Sequence, residues 1–218
     1  MKINKRTGLL GGTFNPLHYG HIDLGKRVMY NFNLSSVRYI LSAKPPHKDG
    51  NGIVSAEIRW EMLTAGLEKY RTLIPDDIEL KRDECSWTID TIKQLKINFP
   101  DNNFFFISGS EGFLKIATWK DYKELLKTVN FIIVMRTEEQ EEKVTKLLEK
   151  ENIHPSENER EENSDPSIYY FSYKSGYLDL SSTRIRRIAA RGGSLDGLVE
   201  SEVREIIEEN NLYGKKRF

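Results

Sequence analysis

Short apolar runs alternate along this chain with longer stretches whose apolar residues return at helical spacing. Gly8 to Leu10 reads as the end of a buried strand, and Ile22 to Phe32 as a helix with Ile22, Leu24, Val28 and Met29 as its apolar positions. Val37 to Ser42 predicts a second strand. Ser55 to Tyr70 predicts a helix capped by Ser55, with Ile58, Met62, Ala65 and Leu67 near one face. Ile78 to Leu80 is a short strand candidate. Ser86 is placed to cap a helix that runs to Phe99 and stops at Pro100. Asn103 to Ser108, with Phe104-Phe105-Phe106-Ile107, and Phe131 to Met135 have the composition of buried strands. A charged helix is expected over Glu138 to Glu151, with Val144, Leu147 and Leu148 as its stripe. A late strand follows over Ile168 to Tyr173. Ser181 to Ala190 reads as a helix ended by Gly192-Gly193, and Glu200 to Glu209 as a final amphipathic helix. This alternation predicts an α/β fold: a Rossmann-like, doubly wound parallel sheet with helices on both faces.

The bulk numbers narrow the class. The 218 residues suffice for one domain with a sizeable core, so residues 1–218 are expected to form a single unit. Hydrophobic residues make up 38% and charged residues 30%, as in a soluble globular protein. The formal net charge of +0 gives no support to a nucleic-acid partner, so any anion site must be built locally. The one cysteine, Cys85, excludes an internal disulfide and a cysteine zinc cluster. No apolar h-region follows Met1-Lys2-Ile3-Asn4, and no apolar run approaches a membrane span, so a cytoplasmic protein without membrane contact is expected. Residues 152–167 include a stretch nearly free of apolar groups, from Pro155 to Pro166, which reads as a polar surface loop.

The candidate chemistry begins at Gly11-Gly12-Thr13-Phe14-Asn15-Pro16-Leu17-His18-Tyr19-Gly20-His21. Gly11 and Gly12 lack a Cβ, so the backbone can turn tightly and approach a ligand. A helix start behind them presents unpaired N–H groups and the positive end of a macrodipole, which favour phosphate. His18 and His21 are three apart and share a helix face, so they can reach one bound group. The spacing is neither that of the dinucleotide-binding glycine fingerprint nor that of the P-loop. Further along, Lys44-Pro45-Pro46-His47-Lys48 is a stiff loop that presents a basic residue. Ser86-Trp87-Thr88 opens a helix whose N–H groups suit a carboxylate or a phosphate. Asp179-Leu180-Ser181-Ser182-Thr183-Arg184-Ile185-Arg186 opens another, rich in hydroxyls and carrying arginine forks.

The HxGH spacing after GGTFNP resembles the nucleotidylyltransferase superfamily, and the full string GGTFNPLHYGH is similar to bacterial nicotinate-nucleotide adenylyltransferases. The segment PPHK, the string Ser86-Trp87-Thr88, Trp119 and the SSTxIR-type string at Ser181 follow in that family's order, so the resemblance runs from Gly8 to about Tyr213. It departs at Trp87, where the family usually has Tyr, at Glu111, where it has Asp, and at Thr137, where Arg-Pro is common and this chain has Arg136-Thr137. The resemblance implies ATP binding by Gly11, Gly12, Thr13, Phe14, His18, His21, Gly109, Glu111, Ser181, Ser182, Thr183 and Arg186. It implies nicotinate mononucleotide binding by Lys48, Trp87, Thr88, Trp119 and Arg136, with His18, His21, Lys48 and Arg186 as the catalytic set. Mg²⁺ would arrive with ATP, since no protein cage for a metal is evident in the sequence.

The implied reaction is attack of the mononucleotide phosphate on the α-phosphorus of ATP, with release of pyrophosphate. The chain offers no nucleophile with a base beside it, so catalysis is expected to rest on positioning and charge stabilisation. Alternatives remain open at this level. They are the same fold with another acceptor (nicotinamide mononucleotide, pantetheine phosphate or a cytidylyl substrate), a synthetase fragment, and a non-catalytic nucleotide sensor. Oligomeric state is not legible.

Overall fold

A computed structural model of the chain describes residues 5–43, 53–82, 87–156 and 166–214. Lys44 to Lys48, Cys85, Ser86 and residues 157–165 of the polar loop lie outside the described residues.

Six parallel strands form one sheet: β1 (Lys5–Gly12), β2 (Ser36–Leu41), β3 (Leu73–Asp76), β4 (Asn102–Gly109), β5 (Asn130–Met135) and β6 (Ile168–Ser172). Their order is β3-β2-β1-β4-β5-β6. The chain first builds outward from β1 to β3 and then crosses back to β4, so the strand order reverses between β1 and β4. A crevice opens there at the carboxyl ends of the strands, which is where ligands bind in such sheets.

The helices are α1 (Tyr19–Asn31), α2 (Ala56–Leu67), α3 (Thr88–Asn98), α4 (Ser110–Phe113), α5 (Tyr122–Thr128), α6 (Glu138–Lys150), α7 (Ser182–Ala189) and α8 (Ser201–Glu209). Side chains alternate across the strands and divide the core. Leu10, Tyr39, Phe105 and Ile107 point to one face, with α1 and α2 residues such as Val28 and Leu63. Leu9, Ile40, Phe104 and Phe106 point to the other, with Ile92 of α3, Leu125 of α5 and Val144 of α6. A third cluster joins Met62 of α2 to Ile185 of α7 and Val203 and Ile207 of α8.

The expected strand at Ile78 to Leu80 is not present; the strand lies upstream, at Leu73–Asp76. The carboxylate of Asp76 accepts from the Ile78 N–H at 3.1 Å, and the chain then turns. Ile78 joins the core from that turn rather than from a ladder. Pro75 breaks the strand signature in the sequence but is tolerated because β3 is an edge strand, paired on one side only. Helix α3 opens at Thr88 with Trp87 in the cap position and no side-chain cap. Helices α4 and α5, only 4 and 7 residues long, are too short to leave a helical period in the sequence.

Helix α2 buries Met62 and Leu67 as expected, but its buried face is centred elsewhere than Ile58 and Ala65 predict. Arg59, Met62, Leu63, Gly66 and Leu67 are buried, whereas Ile58 and Ala65 pack only partly, against the α7–α8 cluster. Ser55 does cap α2, accepting from the Ile58 N–H. Glu200, buried at the start of α8, accepts from the hydroxyls of Tyr19 and Tyr70 and from the Lys69 ammonium. It ties α8 to the first residue of α1, immediately after His18.

Candidate active site

The glycine turn leaves β1 at the strand-order reversal and delivers two imidazoles to the start of α1. His18 occupies the cap position and offers no side-chain cap bond, and the first turn of α1 carries no acidic residue. That helix end therefore keeps its affinity for an anion. The rings of His18 and His21 stack with centroids 3.7 Å apart. Phe14 meets His21 edge-on at 5.1 Å and shields the pair from the sheet. Tyr39, fully buried, donates to the His21 carbonyl at 2.8 Å. Gly25 makes this possible, because a Cβ there would lie 2.1 Å from the Tyr39 hydroxyl oxygen.

Helix α7 opens against the same loop. The Ser182 hydroxyl donates to the Pro16 carbonyl at 3.0 Å, and Nη1 of Arg186 donates to the Asn15 carbonyl at 2.9 Å. Nη2 of Arg186 reaches the Thr183 hydroxyl at 3.3 Å, and Ser181 caps the helix by accepting from the Arg184 N–H. Two segments far apart in the chain thus meet at one end of the sheet, with the hydroxyls and guanidinium of α7 bonded to the loop that carries the two imidazoles. Such a set suits a polyphosphate.

On the other side of the glycine turn lies a cavity of about 370 Å³. Gly11, Gly12 and Thr13 form one wall, Trp87, Thr88 and Thr91 at the start of α3 a second, and Lys115, Trp119 and Lys120 a third. Trp119 stands edge-on to Phe106 at 5.9 Å, leaving an aromatic surface for a flat ring. Lys120 is paired with Asp90 at 2.9 Å. The volume is that of a small-molecule site. The structure therefore brings Trp87, Thr88 and Trp119 together. Arg136 is not among the residues lining this cavity. It follows β5, donates from Nη1 to the Leu178 carbonyl at 3.2 Å, and places its charge near His18. Gly109 caps α4, and Glu111 projects exposed from that short helix, outside the cavity lining. Lys48 lies outside the described residues.

His18 is 5% exposed, and its Nδ1 has no hydrogen-bond partner among the described residues. Burial first, and the Arg136 charge second, lower its pKa to about 4. The unfolded chain then binds more protons than the folded one between that value and about 6.5. Stability is therefore complete above about pH 6.5 and lost as pH falls toward 4, by about 3 kcal/mol for this group. In urea titrations across that window, His18→Gln is expected to lose this part of the slope. A slope equal to the wild type's would show that His18 does not titrate as its burial demands.

Several residues stand out in the sequence by their motifs, Glu79-Leu80-Lys81-Arg82 before the Ser86-Trp87-Thr88 string and Tyr213 near the end, and take their roles only from the structure. Glu79, buried, accepts from the Thr91 hydroxyl at 2.9 Å, and Arg82 donates to the same hydroxyl and to the Asp90 carbonyl, bracing the start of α3. Tyr213, beyond α8, donates to Asn15 Oδ1 at 2.8 Å and so holds the residue whose carbonyl holds Arg186. Tyr213→Phe keeps the ring and removes this bond; it is expected to lower kcat/KM for ATP about 3- to 10-fold, the effect of one neutral hydrogen bond. Unchanged kinetics would make the contact incidental. Arg59 has the one signal that sequence reading can use: an arginine on a helix face otherwise occupied by Met62, Leu63 and Leu67.

Among the described residues, no three His, Cys, Asp or Glu side chains converge to hold a metal ion. The imidazoles, hydroxyls and guanidinium instead fit an anion, which can bring its own cation. No helix among the described residues is long and apolar enough to cross a membrane.

The fold and site define a nucleotidyltransferase: residues 9–188 match the model of the cytidylyltransferase-like family, and the chain belongs to it. Within that family it falls with the nicotinate-nucleotide adenylyltransferases. It is 33% identical to the probable nicotinate-nucleotide adenylyltransferase of Geotalea daltonii, over 97% of this chain and 100% of the relative. It is 31% identical to that of Shouchella clausii, over 96% and 97%. The fold matches that of the Plasmodium falciparum nicotinic acid mononucleotide adenylyltransferase complexed with NaAD, with a TM-score of 0.73 at 19% identity, covering 96% of this chain and 98% of that one.

Proposed function

We propose that this chain transfers the adenylyl group of ATP to the 5′-phosphate of nicotinate mononucleotide. A phosphate oxygen of the acceptor bonds to the α-phosphorus of ATP, the bond from that phosphorus to the bridging oxygen breaks, and pyrophosphate leaves with the electron pair. The observation that carries this reading is the contact of Ser182 and Arg186 with the Asn15-Pro16 carbonyls, which joins the start of α7 to the loop that opens α1, a loop whose glycine turn also walls the aromatic cavity.

His18 and His21 bind the triphosphate, with Gly11 to Phe14 supplying close backbone approach. Ser182 and Thr183 anchor phosphate oxygens, and Arg186 stabilises charge on the leaving group. Lys48 is assigned to the transferring phosphate by its motif alone. Trp87 and Trp119 hold the pyridine ring, and the start of α3 at Thr88 favours its carboxylate, aided by the Lys115 and Lys120 charges at the cavity. Mg²⁺, arriving on the triphosphate, would supply charge neutralisation there. Arg136 lies on the histidine side and is assigned to nicotinate mononucleotide at its phosphate end rather than at the pyridine.

The test is an acceptor panel with ATP and Mg²⁺, scored by pyrophosphate release. Nicotinate mononucleotide is expected to turn over at least about tenfold faster than nicotinamide mononucleotide, the size of one lost charged contact. Pantetheine phosphate is expected to be inert. A preference for the amide would overturn the carboxylate assignment, and ATP binding without turnover would favour a nucleotide sensor.

A further inference from the structure

Arg59 is 2% exposed, and among the described residues its guanidinium has no salt-bridge partner. It donates instead to four main-chain carbonyls. Nε reaches Val54 at 3.1 Å, Nη1 reaches Thr13 at 3.0 Å and Ser42 at 2.7 Å, and Nη2 reaches Ala43 at 3.1 Å. Burial lowers its pKa, which records the cost of holding a charge away from water. Position 59 belongs to the helix face that Met62, Leu63 and Leu67 fill with apolar groups. An apolar residue would avoid that desolvation cost but would take this donor from the Val54, Thr13, Ser42 and Ala43 carbonyls, so what the arginine contributes at this position is the bridge between main-chain segments.

The four carbonyls come from three separate segments: the turn after β1, the chain leaving β2, and the residue before the Ser55 cap. Thr13 and Ser42 both line the cavity. The guanidinium thus lies behind the cavity floor and spans the ends of two adjacent strands. The turn that it grips at Thr13 leads within five residues to His18. On its other flank, Tyr213 lies close enough for the two groups to influence each other's titration, and Tyr213 in turn holds Asn15.

We propose that Arg59 is a positioning residue for adenylyl transfer: by locking the ends of β1 and β2 to one another, it sets the acceptor cavity in register with the histidine pair. This rests on the adenylyl-transfer reading of the site. Lysine cannot replace it, because an ammonium is a point donor on a flexible stem and cannot span carbonyls lying in several directions. Misalignment of the reacting groups costs rate more than affinity.

The experiment compares wild type, Arg59→Lys and Arg59→Ala by steady-state kinetics, thermal unfolding and amide hydrogen exchange. In Arg59→Lys, kcat is expected to fall about 10- to 100-fold, with KM for nicotinate mononucleotide changed less than about threefold. Exchange is expected to quicken at residues 11–17 and 40–43 and to stay unchanged in β4 and β5. Millimolar guanidinium is expected to restore part of the activity of Arg59→Ala. Wild-type kcat in a folded Arg59→Lys would overturn the proposal. So would failure of that variant to fold, or exchange that quickens evenly across the sheet, since either marks a purely structural arginine. If the wild type released no pyrophosphate from ATP and the mononucleotide, the functional reading would fall. The local exchange pattern would then decide by itself whether Arg59 holds the two strand ends.

Discussion

Replacing His21 by alanine is expected to lower kcat by about 100- to 1,000-fold, the range for removing one preorganised donor from a site of developing charge. His21 is held from three sides. His18 stacks on it at 3.7 Å, Phe14 meets its edge at 5.1 Å, and Tyr39 fixes its carbonyl at 2.8 Å. Its ring is thus oriented before substrate arrives, so its contribution is not diluted by reorganisation. The truncation leaves the Tyr39 bond to the backbone in place, and the fold is expected to survive with native circular dichroism and a cooperative melt. Turnover within a few-fold of the wild type would remove the histidine pair from the mechanism.

The second large effect is expected at Arg186. Its guanidinium already spends one arm on the Asn15 carbonyl and another on the Thr183 hydroxyl. A guanidinium has five N–H groups, so donors remain for phosphate while the anchor is kept. Lysine keeps the charge but cannot anchor to Asn15 and face a phosphate in one fixed plane. Arg186→Lys is therefore expected to lose about 100-fold or more in kcat/KM for ATP, and Arg186→Ala about the same or more. The discriminating measurement is the lysine variant. If it works as well as the wild type, Arg186 acts as a distant charge and not as a bridge between α7 and the nucleotide loop.

Predictions from local pattern succeeded where local physics decides. The four Phe and Ile residues from Phe104 to Ile107 form a central strand because both faces of β4 are covered, so every position tolerates an apolar group. Ser55 opens its helix with a side-chain cap, a device confined to four consecutive residues. Local pattern did not decide where packing assigns the use of an apolar group. Ile78 carries an apolar side chain that a turn uses as well as a strand would. On α2, Met62 and Leu67 of the expected stripe are buried, but the polar Arg59 disguised its share of the buried face, and Ile58 and Ala65 lie at the edge of that face.

By itself, the order of residues along the chain determined the parallel α/β class and the family. The class follows from the period of apolar groups, and the family from the resemblance of the string from Gly11 to His21 and of the later motifs in their order. Only the tertiary structure decided that β4 lies beside β1. It alone brought Ser182 to Pro16 and Arg186 to Asn15, 166 and 171 residues apart, and buried Arg59 behind the cavity floor. The reason is that such proximity comes from crossover connections and from side chains bonded to main-chain carbonyls. A carbonyl is the same group in every residue, so the identity of the acceptor residue leaves no trace of who will bond to it.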